Sequence, residues 1–423
     1  MNPLFKIFFL SVVAAQISGC SSFGKGVVEA VMEKQQAVDT RLCEVWGKSF
    51  NGIMPFLNLQ KGKMKVLMVH GVGDHLPGYS TQFVEKLAKE LDLPVMSAQY
   101  KNITLTDPFD TTKNLGNLRI NRLLSRDRTK ELMFYELTWS VITAKQKEVL
   151  AYDNSGEYSF RRAEINDLMK KFSNDTGPDP IIYLGDSREE ILISFTQSFC
   201  WMTKSNWENL PNNEAQACSF NDNSLTTNID NDQYAFISHS LGSRITIDGM
   251  QRIASLMDAR NSQYKDDSIE SRELVEALKR KEIPIYMMSN QLPMLQLGRK
   301  LPEVNNQKAS YCRPQGDKYD QRMLSKTSII AFSDPNDLLS YAVPRGFVEK
   351  YLDSRLCIDV TNININVATI FDAFGLGKLA NPINAHIGYD TDDRVIALIA
   401  KGIGNDKTSN IVNERCRWID TID

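Results

Sequence analysis

One short segment, Ser-His-Ser-Leu-Gly between an apolar run and a helical pattern, constrains this chain more than any other. Tyr234–Ile237 has the composition of a buried β-strand, and the apolar spacing of Leu241–Leu256 predicts a helix that begins directly after the turn. A turn this sharp needs small residues two positions before and after its centre, and Ser238 and Gly242 are small. Such a turn lifts the hydroxyl of Ser240 off the sheet and points the free N–H groups of the helix at a reacting oxygen.

Other apolar runs repeat this alternation of strand and helix. We predict further strands at Lys65–His70, Met133–Leu137, Ile181–Leu184, Pro284–Met288, Ser328–Phe332 and Leu356–Val360. We predict further helices through Phe83–Leu91, Val141–Leu150, Phe195–Trp201 and Arg394–Lys401. The alternation favours an α/β fold in which helices cover both faces of a mostly parallel sheet.

The serine turn resembles the nucleophile elbow of the α/β-hydrolase superfamily, specifically of its lipases and esterases with a Gly-His-Ser-Leu-Gly motif. Ser238 stands where those proteins usually carry glycine. The resemblance extends over residues 65 to about 402 and implies an α/β-hydrolase fold with Ser240 as the nucleophile. It leaves unexplained a long, cap-like insertion at residues 140 to about 230.

The same resemblance implies an oxyanion hole. In this superfamily a His-Gly segment after an early strand supplies one N–H donor, and Val69-His70-Gly71-Val72-Gly73 lies at that place. The resemblance therefore assigns one donor to the N–H of Val72 and the other to the N–H of Leu241. His75 lies on the same loop, where we expect it to be a polar loop residue and not a catalyst.

The superfamily carries its triad in the order serine, acid, histidine. Of the four histidines only His386 follows Ser240, in a polar loop before the last predicted helix, which makes it the expected base. The acid should follow the strand predicted at Ser328–Phe332, where two carboxylates compete. Asp337, which precedes two leucines, fits the family pattern better; Asp334 precedes a proline and is typical of a turn.

These residues predict a serine esterase or lipase that cleaves an ester or lipid-like small molecule through an acyl-enzyme. A peptidase or an acyltransferase would use the same constellation, because one fold hosts many chemistries. A non-catalytic binding or envelope-assembly protein that keeps the fold is a further alternative. The combined presence of serine, acid, histidine and the His-Gly segment argues against it.

The first twenty residues form a separate unit. Lys6 precedes the apolar run Ile7–Ala15, which is too short to span a bilayer. Ile17-Ser18-Gly19-Cys20 resembles a bacterial lipobox, which implies that Cys20 is acylated and begins the mature protein; an ordinary signal peptide with an incidental cysteine is the alternative. Ser21 after the cysteine favours the outer membrane, with the protein facing the periplasm. We thus expect a signal peptide at 1–19, a tether and irregular N-terminal segment at 20–60, and the hydrolase domain at 61–423.

Acylation of Cys20 would leave six of the seven cysteines for an oxidising compartment. Six cysteines allow fifteen pairings, so their connectivity does not follow from the sequence. Cys200 and Cys218 are the nearest pair and flank a polar loop, which makes them the easiest to join. Buried free thiols are the alternative.

The composition narrows the choice of partners. The net charge is −3 and no basic block occurs, so we expect no nucleic-acid partner; the membrane would be reached through the lipid anchor alone. Without a C-x-x-C motif or a His/Cys cluster we expect no zinc, and the triad chemistry needs no cofactor. Four aromatic residues in or beside the insertion are expected either to line an acyl pocket or to form the core of the insertion: Trp139, Phe195, Phe199 and Trp201.

Overall fold

The computed structural model describes residues 41–57, 63–97, 99–152, 163–204, 206–219, 229–263, 275–372 and 378–419. The expected lipobox and Cys20 lie outside these residues. The strands are β1 Cys43–Trp46, β2 Phe50–Asn51, β3 Met64–Val69, β4 Val95–Met96, β5 Lys101–Thr106, β6 Asn114–Leu124, β7 Glu131–Thr138, β8 Glu214–Gln216, β9 Gln233–His239, β10 Glu282–Met288, β11 Lys326–Ser333, β12 Ile358–Asn364, β13 Ile370–Asp372, β14 Lys378–Ala380, β15 Gly402–Ile403 and β16 Cys416–Ile419. The helices are α1 Met54–Leu57, α2 Thr81–Glu90, α3 Val141–Ala151, α4 Glu164–Thr176, α5 Pro178–Leu184, α6 Arg188–Lys204, α7 Leu241–Gln263, α8 Lys308–Cys312, α9 Phe347–Tyr351, α10 Pro382–Ile387, α11 Asp393–Lys401 and α12 Asn410–Arg415.

Twelve of the described strands form one mixed sheet. Its order is β16-β1-β12-β11-β10-β9-β3-β7-β6-β5-β8, with β4 paired to β6. The six central strands, β7-β3-β9-β10-β11-β12, all run parallel, and antiparallel pairs flank them at β6 and β1. Every residue of β3 is buried, as expected for a parallel strand covered on both faces.

Helices cover both faces of this sheet. On one face, α6 and α7 share a core cluster with the side chains of Val69 and Phe236. On the other face, α2 and α11 pack with Met68 and Ile237, the neighbours of those residues along β3 and β9. Alternate residues of the strands thus feed two separate cores. The predicted α/β class, with a largely parallel sheet between layers of helices, is confirmed.

The four aromatic residues singled out in the sequence belong to one of these cores. Trp139 directly follows β7, and the other three lie on α6, which packs against α7 and the sheet. All four are buried in the cluster that includes Val69 and Phe236 of the central strands. Of the two expectations, this arrangement favours a core role, and the core is that of the sheet itself.

Two local predictions were wrong. Ile181–Leu184, expected as a strand from its β-branched pair, lies in helix α5. Pro178 is at the first turn of that helix, where its missing N–H costs nothing, and Asp179 and Tyr183, four residues apart, are buried on one face. The N-terminal segment, expected to be irregular, contributes β1 to the main sheet.

Three disulfides join the six described cysteines. The predicted Cys200–Cys218 bridge is confirmed. The others are Cys43–Cys416, which links the adjacent strands β1 and β16, and Cys312–Cys357. No helix within the described ranges is long and apolar enough to cross a membrane.

Candidate active site

Parallel strands end at a common edge of the sheet, and the candidate residues lie there. Ser240 follows β9 and adopts a left-handed backbone (φ 54°), which is uncommon for a residue with a side chain. Its N–H donates to the carbonyl of Met288 at the end of β10 (3.0 Å), so the neighbouring strand holds the strained turn. The turn also needs its glycine, because a Cβ at Gly242 would lie 2.3 Å from the carbonyl oxygen of Val69.

The structure brings three predicted residues into a hydrogen-bonded row. Nε2 of His386, on the short helix α10, lies 3.2 Å from Oγ of Ser240. Nδ1 of the same ring lies 2.9 Å from Oδ1 of Asp337, in the loop after β11. Ser240 is buried, whereas the His386 side chain is 15% exposed, so the imidazole reaches solvent and the serine does not.

The two candidate acids have different partners. The carboxylate of Asp334 accepts backbone N–H groups from Asn336, Val367 and Ala368, at 2.7 to 3.0 Å. These bonds tie the loop after β11 to the loop after β12, which is a structural task. It is Asp337 that the fold places against His386.

Asp337 is surrounded by donors. Besides His386, its oxygens accept the hydroxyl of Ser289 (2.6 Å), the hydroxyl of Tyr389 (3.3 Å) and the N–H of Leu339 (3.0 Å). Burial alone would raise the pKa of this carboxyl, but the hydrogen bonds from His386 and Ser289 outweigh it, and the pKa is lowered. A carboxylate at this position is ionised at neutral pH and favours an imidazolium beside it.

Sequence reasoning missed Ser289 and Tyr389. Ser289 follows β10 directly, with a left-handed backbone (φ 51°), and its hydroxyl also lies 2.9 Å from Nδ1 of His386. Its place at the carboxyl end of a predicted parallel strand was a usable signal. Tyr389 lies three residues after His386, and its hydroxyl both contacts Asp337 and accepts the N–H of Asp334 (2.6 Å).

The side chain of His239, next to Ser240, forms a hydrogen bond to the backbone of His386. Its Nε2 lies 2.7 Å from the carbonyl oxygen of His386, which can only accept, so Nε2 carries the proton and donates. Burial, and after it the charge of His386, lowers the pKa of His239 to about 3. His239 is therefore neutral at physiological pH, and its bond fixes the backbone of helix α10 at His386.

The predicted oxyanion loop adjoins the serine. A Cβ at Gly71 would lie 2.6 Å from Cβ and 3.2 Å from Oγ of Ser240, so only glycine fits there. Val72 follows it, and Leu241 is the first residue of α7, where an N–H has no acceptor within the helix. One expected donor thus directly follows Ser240 in the chain, and the other directly follows Gly71, which packs against the serine side chain.

His70 anchors the start of this loop. Its Nδ1 lies 2.8 Å from the carbonyl of Gly71, and its Nε2 lies 3.1 Å from the N–H of Trp139, which fixes the tautomer with the proton on Nδ1. The ring is stacked between the side chains of Trp139 and His75. Nδ1 of His75 lies 3.0 Å from the carbonyl oxygen of Gly73, and its ring contacts those of His70 and Tyr79.

Carboxylates from the segment after β7 hold the rest of the loop. Oδ2 of Asp179 accepts the N–H of Gly73 (2.6 Å), and Oδ1 of Asp175 accepts the N–H of Asp74 (3.1 Å). Lys147 forms ion pairs with both carboxylates, at 2.9 Å and 3.6 Å. Asp179 is fully buried, so this lysine is its necessary counter-charge.

A cavity of about 350 Å³ opens beside the same loop. Apolar side chains of Leu76 and Val141 line it together with polar groups of Asn117 on β6 and Thr138 at the end of β7. Ser240, Asp337 and His386 are not among the residues that line it. Within the described ranges, no group of three or more His, Cys, Asp or Glu is placed to hold a metal ion.

Comparison with protein-family models, curated proteins and solved structures gives no match.

Proposed function

We propose that this protein is a serine hydrolase with an α/β-hydrolase fold that cleaves carboxylic esters through an acyl-enzyme. The observation that carries the proposal is the row from Ser240 through His386 to Asp337, with the serine on a strained strand-to-helix turn. Three side chains from separate loops meet in the order that acyl transfer needs. A protein that only binds a ligand has no use for that order.

The chemistry follows from the distances. Nε2 of His386 takes the proton of Ser240 as Oγ forms a bond to the ester carbonyl carbon, and Asp337 stabilises the resulting imidazolium. The N–H groups of Val72 and Leu241 stabilise the oxyanion. His386 returns the proton to the leaving alcohol as the C–O bond breaks. Water, deprotonated by the same nitrogen, then releases the acid and regenerates the serine.

A fluorophosphonate probe tests the nucleophile. We expect covalent labelling that is lost in Ser240→Ala while the circular dichroism spectrum is unchanged. Ser289→Ala is the control, because its hydroxyl also lies within 2.9 Å of His386 but on Nδ1. Labelling that survives in Ser240→Ala and disappears in Ser289→Ala would exclude Ser240 as the nucleophile.

We further propose that the protein is a lipoprotein of the outer membrane, anchored through Cys20 and facing the periplasm, and that its substrate is a lipidic ester. The motif around Cys20 supports the anchor, and the three disulfides suit an exported chain. Cys20→Ala should move the protein from the membrane fraction to the soluble fraction. Unchanged membrane association would show that another segment holds it.

A further inference from the structure

Large apolar side chains are exposed around the mouth of the site. Leu338 is 73% exposed and directly follows the acid Asp337, and Ile387, next to His386, is half exposed. Leu76, 80% exposed, is on the oxyanion loop after β3. Exposed apolar groups of this size cost free energy in water unless they meet a partner.

A fourth such residue lies at the same edge of the sheet. Phe109 is 93% exposed in the loop between β5 and β6. The register places that loop beside the end of β7, because Thr106 pairs with Asn114 and Asn117 pairs with Thr138. The loops after β3 and β11, the end of helix α10 beside His386, and the β5–β6 loop thus each carry an exposed apolar side chain near this edge.

The N-terminal chain enters the domain at this edge too. Strand β1 runs antiparallel to β12, and Glu44 pairs with Asn364, the last residue of β12. The first described residues, Arg41 to Cys43, therefore lie at the carboxyl edge, where Ser240 and Asp337 are. Twenty residues separate Cys20 from Arg41, and even fully extended they would span only about 70 Å.

We propose that the carboxyl edge of the sheet is a membrane-docking surface, formed by Leu76, Phe109, Leu338 and Ile387, that presents the serine to the bilayer holding the lipid anchor. The proposal depends on the proposed hydrolase function and on the anchor at Cys20. The occupant is a lipid surface because the described chain begins at Arg41 on this edge, so the segment that would lead to the acyl groups starts on the side that carries these side chains. Because the net charge is −3, the protein is not attracted to anionic lipid as a whole, and affinity for the bilayer must come from apolar contact.

Photo-crosslinking tests the surface directly. The full chain with its anchor, in a Ser240→Ala background, is reconstituted on vesicles of phosphatidylethanolamine and phosphatidylglycerol with p-benzoylphenylalanine at position 338. Leu256 is the matched control position: it is 45% exposed but lies 15 residues along α7, about 22 Å from the edge. We expect lipid adducts at position 338 and not at 256. Equal labelling at both positions, or no adduct at 338 whether or not the protein floats with the vesicles, would overturn the proposal.

An activity measurement separates this inference from the hydrolase proposal. Leu338→Gln introduces no charge near the acid. It should lower hydrolysis of a vesicle-embedded long-chain ester at least tenfold, with no change for a water-soluble p-nitrophenyl ester, and Leu256→Gln should change neither rate. Equal loss on both esters would contradict membrane docking. If fluorophosphonate labels no serine while position 338 still crosslinks to lipid, it is the hydrolase proposal that fails.

Discussion

Asp179 accepts the N–H of Gly73 at 2.6 Å, although the two residues are 106 positions apart in the chain. This bond fixes the peptide that directly follows Val72, the residue expected to supply one oxyanion donor. Lys147 holds the carboxylate in place from α3, and its own pKa is raised: burial lowers it, but the bonds to Asp179 and Asp74 outweigh that effect. The segment after β7 therefore sets the geometry of the oxyanion loop.

Weakening the hydrogen bond between Asp179 and Gly73 should lower kcat more than it raises KM. Asp179→Asn keeps the volume but removes the charge that pairs with Lys147, so the loop can shift away from the developing oxyanion. One oxyanion donor accounts for roughly 10²–10³ in kcat, and partial misplacement should cost about tenfold. The measurement is kcat and KM on a soluble ester.

Asp175→Asn is the control for that experiment. Asp175 accepts the N–H of Asp74 in the same way, but its side chain is 41% exposed. Asp74 is also one residue farther along the chain from Val72, the expected oxyanion donor, than Gly73 is. We expect less than a twofold change in kcat. If both variants lose activity equally, or if Asp179→Asn alters KM alone, Asp179 does not act by positioning the loop.

Mutation of the two aspartates after β11 should have different effects, on catalysis for Asp337 and on stability for Asp334. Asp337→Asn should lower kcat by about 10⁴, because an amide there favours the wrong tautomer of His386. Asp334→Asn should leave kcat within a few fold but lower the melting temperature, since its carboxylate accepts the N–H groups of Val367 and Ala368. Steady-state kinetics and thermal unfolding of both variants check this; the reverse ranking would make Asp334 the acid.

Much of the site was predictable because its signals are local or follow chain order. The elbow around Ser240 consists of adjacent residues, and its strand and helix show their patterns on either side. The order of the triad then pointed to His386 and left a short choice between Asp334 and Asp337. The sequence could not decide between them, because the choice depends on which carboxylate the loop after β11 places against His386.

Contacts between distant segments could not be predicted. Nothing near Asp179 in the sequence points to Gly73, and the apolar run that follows it suggested a strand where the chain forms helix α5. In a strand, Ile181 and Tyr183 would lie on the same face. Here Ile181 is exposed, whereas Tyr183 is buried together with Asp179 four residues before it, which is a helical pattern. The antiparallel strands β5 and β6 likewise escaped prediction.

The free energy of unfolding should decrease in mild acid, because His239 is held neutral in the folded protein. Its pKa is about 3 in the folded protein against about 6.5 in the unfolded chain, so between these values only the unfolded chain binds the proton. The free energy of unfolding therefore has its full value above pH 6.5 and decreases as the pH falls, by about 2 kcal/mol from 6.5 to 5 for this one group.

His239→Gln isolates that contribution. Glutamine can still donate to the carbonyl of His386 but does not titrate. Urea unfolding at pH 7 and pH 5 should show a smaller difference in this variant than in the wild type, by about 2 kcal/mol. Equal differences would mean that His239 is not held neutral. Because burial also lowers the pKa of His70 well below its usual value, some acid sensitivity should remain in the variant.

The disulfides should differ in what they contribute to stability. A cross-link restricts the unfolded chain more when it closes a longer loop, and the sequence separations are 18 for Cys200–Cys218, 45 for Cys312–Cys357 and 373 for Cys43–Cys416. The chain-entropy relation gives roughly 3, 4 and 6 kcal/mol in that order. Removing the bridge between β1 and β16 should therefore destabilise the protein most.

Paired Cys→Ala variants test the ranking, one bridge at a time, by urea unfolding without reductant. Alanine avoids placing a hydroxyl in the buried sites of Cys43 and Cys200. Mass spectrometry of the wild type after alkylation without reductant should show none of these six cysteines modified, and the three linked peptides should appear after digestion. If the Cys200–Cys218 variant lost the most free energy of unfolding, native packing in α6, and not loop closure, would decide how much each bridge stabilises the protein. Six alkylated cysteines would contradict the bridges themselves, and with them one support for an exported protein.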